Sequence, residues 1–215
     1  DYMLMTAAKN VTRDVSLVFD FIERPYSPVR FKELLVSPNE MKQKFSRLIN
    51  EEIKNKQAGK PAYILIKINH ITDPVMVKKL YEASSHGVRI DLLVRGNCSL
   101  ITGVPGVSDT IRINGIIDRY LEHSRIFIFA NGGDEKMFIG SADWMPRNLD
   151  NRVEVIAPVY DPEIKADLKR VVEYGLKDTL QGRVVDGTGE NRPWISEDKT
   201  AFRLSLIHIS EPTRH

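Results

Sequence analysis

With 215 residues the chain has room for one large α/β domain or two small ones, and for a core that holds without covalent staples. A formal net charge of +2 is too small to imply nucleic acid or an acidic membrane by itself, so any basic site must be local. Cys98 is the single cysteine, which excludes an intrachain disulfide, fits a reducing compartment and reads as a small buried hydrophobe rather than a nucleophile. Met3-Leu4-Met5 is too short for a secretory signal, and no stretch reaches the ~20 apolar residues of a membrane-spanning helix.

Taken in order, the elements alternate. Asn10 or Thr12 can cap a helix whose apolar positions are Val15, Val18, Phe19 and Ile22. Pro25 and Pro28 bound a turn, and Phe31 to Ser37 reads as a short strand. Ser37-Pro38 with Glu40 starts a helix through Met41, Phe45, Leu48, Ile49 and Ile53, which Gly59 ends. Ala62 to Ile68 is nearly continuous apolar, as in a strand buried on both faces. Thr72-Asp73-Pro74 opens a helix that stops near Gly87, and Val88 to Val94 is a second buried strand. A Gly- and Pro-containing loop precedes a strand at Thr110–Ile113 and a helical turn at Ile117–Leu121. Arg125 to Phe129 and Lys136 to Gly140 form a hairpin around Gly132-Gly133-Asp134. Arg152 to Val159 is a strand, and Asp161-Pro162 starts a last helix through Leu176. The order predicts an α/β fold: a mixed, mostly parallel sheet with helices on both faces. Beyond Gly182 the periodicity fades.

Ligands of such sheets bind beyond the carboxyl ends of the strands. There an apolar strand delivers Arg95, whose planar fork matches phosphate oxygens, and Gly96 lets backbone approach closely. His123 and Arg125, two apart at the head of a strand, can present a titratable ring and a fixed cation on one face. Gly140-Ser141 can offer backbone N–H groups and a hydroxyl to an anion. Arg95 and His123 also have bland readings: a solvated arginine, and a histidine satisfied by backbone. Trp144 reads as packing, and His70 and His86 as structural or solvent-facing. No cluster has zinc spacing and no GxxxxGK[ST] loop is present.

The phrases Leu92–Leu100 (LLVRGNCSL), Asp118–Arg125 (DRYLEHSR), Asn131–Lys136 (NGGDEK), Gly140–Asp150 (GSADWMPRNLD) and Arg152–Ala157 (RVEVIA) together resemble the larger, histidine-phosphorylated family of polyphosphate kinases, in register from Asp1 to about Leu180. The resemblance implies the last of that enzyme's four domains, with a phospholipase D-like fold. It implies residues 1–182 as an N-terminally truncated domain; the fading periodicity gives 183–203 as an irregular tail, and 204–215 is expected to be a non-native segment, since LSLIHISEPTR resembles a translated sequencing adaptor. His208 and His215 then carry no chemistry.

The implied reaction is reversible transfer of the ATP γ-phosphoryl group to inorganic polyphosphate through a phosphohistidine that is not in this chain. Arg95 and His123 are the implied nucleotide-phosphate contacts, with His123 in a supporting catalytic role. Arg125, Arg147 and Arg152 are candidates for the polyphosphate path. ATP/ADP is the implied nucleotide, and the Mg2+ ligands are expected outside this chain. Expected partners are polyphosphate, the preceding domains of the same enzyme and further copies in a homo-oligomer, with no specific nucleic acid. The expected setting is bacterial and cytoplasmic, either free or peripheral at the inner membrane, and the fragment alone is expected to be inactive. Arg125 stands where the phospholipase D signature has lysine. The competing readings are a phospholipase D-like phosphodiesterase and a non-catalytic polyanion-binding module.

Overall fold

The computed structural model describes residues 2–25, 28–195 and 201–206. Its helices are α1 (Lys9–Glu23), α2 (Met41–Gln57), α3 (Pro74–Ser85) and α4 (Pro162–Lys177). Its strands are β1 (Leu35–Ser37), β2 (Tyr63–Ile68), β3 (Arg89–Val94), β4 (Ile111–Gly115), β5 (Arg125–Phe129), β6 (Lys136–Gly140), β7 (Glu154–Val159) and β8 (Arg183–Val184). They form one sheet in the order β1-β7-β6-β5-β2-β3-β4-β8.

The expectation of a mostly parallel sheet is not met. Only β2–β3 and β3–β4 run parallel; the other five neighbouring pairs are antiparallel. The reason is the connections. A parallel step needs a crossover, usually a helix, and α3 supplies one between β2 and β3. After β4 no α-helix intervenes until α4, so β5, β6 and β7 return by loops and meander. The β5–β6 connection is the expected hairpin, with Asn131, Gly132 and Gly133 all at positive φ.

Helices do cover both faces. Ile64, Ile66 and Ile68 of β2 face α2 and α3, packing with Phe45, Met76, Phe127, Phe129 and Trp144. Leu65 points the other way, with Leu93, Ile126 and Ile128, against Leu168 and Val172 of α4. Trp144 is fully buried, stacked on Phe127 at 5.8 Å and edge-on to Phe45 at 5.2 Å, so it is a packing residue.

Two elements differ from expectation. In α1 the buried face is Val11, Asp14, Val18 and Phe21, whereas Val15, Phe19 and Ile22 are exposed. Asp14 takes a core position because its carboxylate accepts from Glu33 N (2.6 Å) and Leu34 N (3.1 Å), capping the approach to β1. Residues 117–121 form no helical turn. Ile117 and Leu121 are about three-quarters exposed, so a helix there would bury no apolar face.

Past Gly182 the chain stays attached. β8 pairs with β4, and the indole of buried Trp194 donates to Leu176 O at 2.8 Å. Leu204–Leu206 form a 3-10 turn, while 207–215, with His208 and His215, and residues 26–27 of the expected turn lie outside the described residues. Among the described residues no helix is long and apolar enough to cross a membrane.

Candidate functional site

The topology brings the ends of β2, β3 and β6 and the starts of β5 and β7 to one end of the sheet. Pairing fixes this: Ile68 lies beside Val94, Lys67 beside Ile126, and Gly140 between Arg125 and Ile156. Arg95, His123, Arg125 and Ser141 therefore share that end.

Arg95 follows β3 directly. Its Nε donates to Asn69 Oδ1 at 3.0 Å. Because a guanidinium only donates, that contact fixes the Asn69 amide with its oxygen toward Arg95. The opposite atom, Nδ2, is buried and has no hydrogen-bond partner in the protein. Gly96 is required by crowding: a Cβ there would sit 2.4 Å from His70 Cε1 and 2.6 Å from His70 Nδ1. His70 in turn accepts from Asn97 N at 2.9 Å, so it has the structural role expected of it. Exposed His86 bonds the carbonyl of Glu82.

Asp143 organises the second half. Its carboxylate holds Arg125 in a fork, Nε to Oδ1 and Nη2 to Oδ2, both at 3.1 Å. Oδ1 also accepts from Asn69 N at 3.0 Å. The remaining terminal nitrogen of Arg125, Nη1, reaches His123 Nδ1 at 3.2 Å and His123 O at 2.9 Å. Arginine cannot accept a proton here, so Nδ1 must be the acceptor and the neutral ring carries its proton on Nε2. Desolvation, then the charges of Arg125 and Arg95, hold the His123 pKa below the usual histidine value.

Beneath them lies a residue the sequence reading passed over. Lys67 interrupts the apolar run of β2 and is 7% exposed. Its Nζ meets Ser124 Oγ at 2.9 Å and Glu122 Oε2 at 3.1 Å. Burial lowers its pKa, opposed chiefly by Glu122. A charge in a strand otherwise made of Tyr63 and buried Ile and Leu was the available signal, since buried lysines are rare without a partner. Lys67, Asn69, Arg95 and Glu122 line a cavity of about 240 Å3 with Ile116, Leu121 and Gly175.

The other expected groups are placed differently. Ser141 is committed: its N–H donates to Val155 O at 3.1 Å and its hydroxyl to Glu154. It offers no free donor pair to an anion. Arg147 and Arg152 are exposed: Arg147 opens a short π-helical turn, Arg147–Asn151, and Arg152 follows it, the turn being tied down where the Ser37 hydroxyl lies within hydrogen-bond reach of both Asn148 O and Arg152 O. They sit on the β1 side of the same end, separated from Arg95. Cys98 is half-buried and burial raises its thiol pKa. Among the described residues no group of three or more His, Cys, Asp or Glu is placed to hold a metal ion.

Comparison with known proteins bears on this site. The family described as "Polyphosphate kinase C-terminal domain 2" matches residues 34–204. Polyphosphate kinase of Escherichia coli strain K12 is 46% identical over 192 residues, which is 89% of this chain and 28% of that protein. The Klebsiella pneumoniae polyphosphate kinase is 47% identical over the same shares. The chain thus spans under a third of these relatives. Among solved structures, polyphosphate kinase from Porphyromonas gingivalis superposes with a TM-score of 0.88 at 39% identity, over 94% of this chain and 31% of that one. Nuc, a phospholipase D family member from Salmonella typhimurium, matches at a TM-score of 0.52 and 14% identity, covering 72% of this chain and 97% of that chain. At that identity it speaks for the fold alone.

Proposed function

The chain belongs to the polyphosphate kinase family, and on that premise we propose that it is the nucleotide-phosphate half of a phosphotransferase site. In this reading the enzyme moves the γ-phosphoryl group of ATP reversibly to the end of a polyphosphate chain. A phosphohistidine outside this chain carries the group. Arg95 and His123 hold the nucleotide phosphates.

One observation carries the reading. Arg95 is braced by Asn69 at Nε only, which leaves its terminal nitrogens available, and His123 is braced by Arg125 at Nδ1, which leaves the ring proton on Nε2. Two donors of different strength are thus fixed in advance on one end of the sheet, as stabilisation of shifting phosphate charge requires. The unpartnered Asn69 Nδ2 beside Arg95 adds a donor that an anionic oxygen would satisfy. Neutral His123 donates its Nε2–H to a phosphate oxygen. Arg125 serves by holding His123, and Arg147 and Arg152 remain the candidates for the polyphosphate path. The magnesium ligands are proposed to lie outside this chain. The proposed partners are polyphosphate, the other domains of the same enzyme and further copies of it, in a bacterial cytoplasm.

The same geometry disfavours a phosphodiesterase. A nucleophilic histidine needs an unprotonated Nε2, with Nδ1–H held by an acceptor; here a cation donates to Nδ1 instead. Calorimetric titration of ADP and a non-hydrolysable ATP analogue tests the proposal. Arg95→Ala should weaken binding by about 1.5–3 kcal/mol, the scale of a charge-assisted hydrogen bond, and His123→Ala should weaken it too. An unchanged dissociation constant in Arg95→Ala sinks the assignment.

A further inference from the structure

His123 lies at the end of a stretch, residues 116–124, that has no helix or strand to hold it. Position there depends on tertiary ties. Asp118 is gripped by Arg203 through Nη2 at 2.6 Å and Nε at 3.1 Å, well before the histidine. Next to the histidine there are two ties: Arg125 Nη1, which donates to His123 O at 2.9 Å, and Lys67. It pairs with Glu122 on one side of His123 and with the Ser124 hydroxyl on the other. Lys67 lies on the α4 face of β2, where Leu65 and Ile126 are its apolar neighbours. A buried ammonium there is unfavourable unless its bonds are good, and a residue such as methionine would pack at no such cost. Stability alone therefore does not account for a lysine at this place.

Resting on the phosphate-site reading above, we propose that Lys67 is a positioning residue: by clamping Glu122 and Ser124 it seats the His123 ring beside Arg95 and Arg125 without itself touching the phosphate. Arg125 then orients the ring and Asp143 orients Arg125, so three charged side chains set one imidazole.

The test is a set of variants of the chain read by two independent measurements. The first is titration of His123 by NMR, assigned with His123→Gln, together with amide exchange of residues 116–124. In Lys67→Met the ring should leave its seat, so its pKa should rise toward the ordinary histidine value and those amides should exchange faster. The second is ADP binding. Lys67→Met should weaken it by about tenfold, and Lys67→Met combined with His123→Ala should be no weaker than His123→Ala alone, because both remove the same contact. If ADP does not bind the parent chain, the phosphate-site reading fails while the titration still judges Lys67. An unchanged His123 titration in folded Lys67→Met overturns the proposal. A double variant clearly weaker than His123→Ala overturns it too, since Lys67 would then contact the phosphate directly. Should Lys67→Met not fold, Glu122→Gln with Ser124→Ala cuts the clamp from its other side. That pair should reproduce the upward shift, and an unmoved titration there is equally fatal.

Discussion

Replacing Asp143 by alanine removes the partner of Arg125 from an environment where both side chains are nearly dry, 11% and 6% exposed. A surface ion pair would be worth under about 1 kcal/mol. Here the fork of two 3.1 Å bonds would vanish and leave a guanidinium without its carboxylate, and the N–H of Asn69 without its acceptor. Stranding a buried charge costs about 3–5 kcal/mol. With a urea slope near ~2 kcal/mol per molar, the unfolding midpoint should fall by roughly 2 M. Removing both charges, as Arg125→Met with Asp143→Leu, should recover most of that loss, because no charge is then stranded; the residual reflects the orphaned backbone donor. Equilibrium urea denaturation followed by circular dichroism measures all three proteins. If Asp143→Ala loses less than about 1 kcal/mol, or the double variant is worse than the single, the account of this pair is wrong.

Other perturbations follow from the same end of the sheet. Gly96→Ala drives a methyl group to 2.4 Å from His70 Cε1 and 3.1 Å from Asn69 O, and should cost about 1–3 kcal/mol, seen as a lower thermal midpoint. Asp73 caps α3 by accepting from Val75 N and Met76 N, each at 3.0 Å, and also pairs with Lys42 at 2.9 Å; Asp73→Ala should lose about 1–2 kcal/mol from the cap alone, and Asp73→Asn less, by the same denaturation assay. His123 has a folded-state pKa below its unfolded value, so the unfolded chain binds more protons between the two. Its stabilising share is complete above the unfolded pKa and is lost as pH falls through the folded one. Between pH 7.5 and 5 the parent should therefore lose more stability than His123→Gln; parallel pH profiles would contradict this.

Much of this was legible because it depends on local chemistry. The Asp-Pro starts of α3 and α4 are capped as their sequences suggest, with Asp73 and Asp161 each accepting two backbone N–H groups. The hairpin at Asn131–Gly133 and the burial of β2, β3 and β5 also follow from turn residues and apolar runs. Strand direction did not follow, because β-α-β order was extended past β4, where the connections carry no helix. The outward stripe on α1 was misjudged because Asp14, a polar residue, holds a core position through bonds to residues 19 and 20 positions away. At the site, Arg95 and His123 could be named from strand ends. Their supports, Asn69, Asp143 and Lys67, are contributed across up to 74 residues of sequence, and spacing does not reveal such pairs.

The long reach of Asp143 bears on how the chain acquires its site. Its bond to Asn69 closes only when β6 has docked on β5 and β5 on β2. Until then β2, β3 and β4 can pair among themselves, since they are consecutive, but they would present Arg95 without a seated His123. Contacts of such separation form slowly and late, after loop closure has been met. The proposed anion site is thus expected to report the last stage of folding. A bound phosphate compound that engages both halves stabilises only the finished sheet, and raises its apparent stability by mass action. Refolding in the presence of ADP or tripolyphosphate would leave early pairing unaltered and slow unfolding, so the ligand would act as a latch on the completed fold rather than as a template for it.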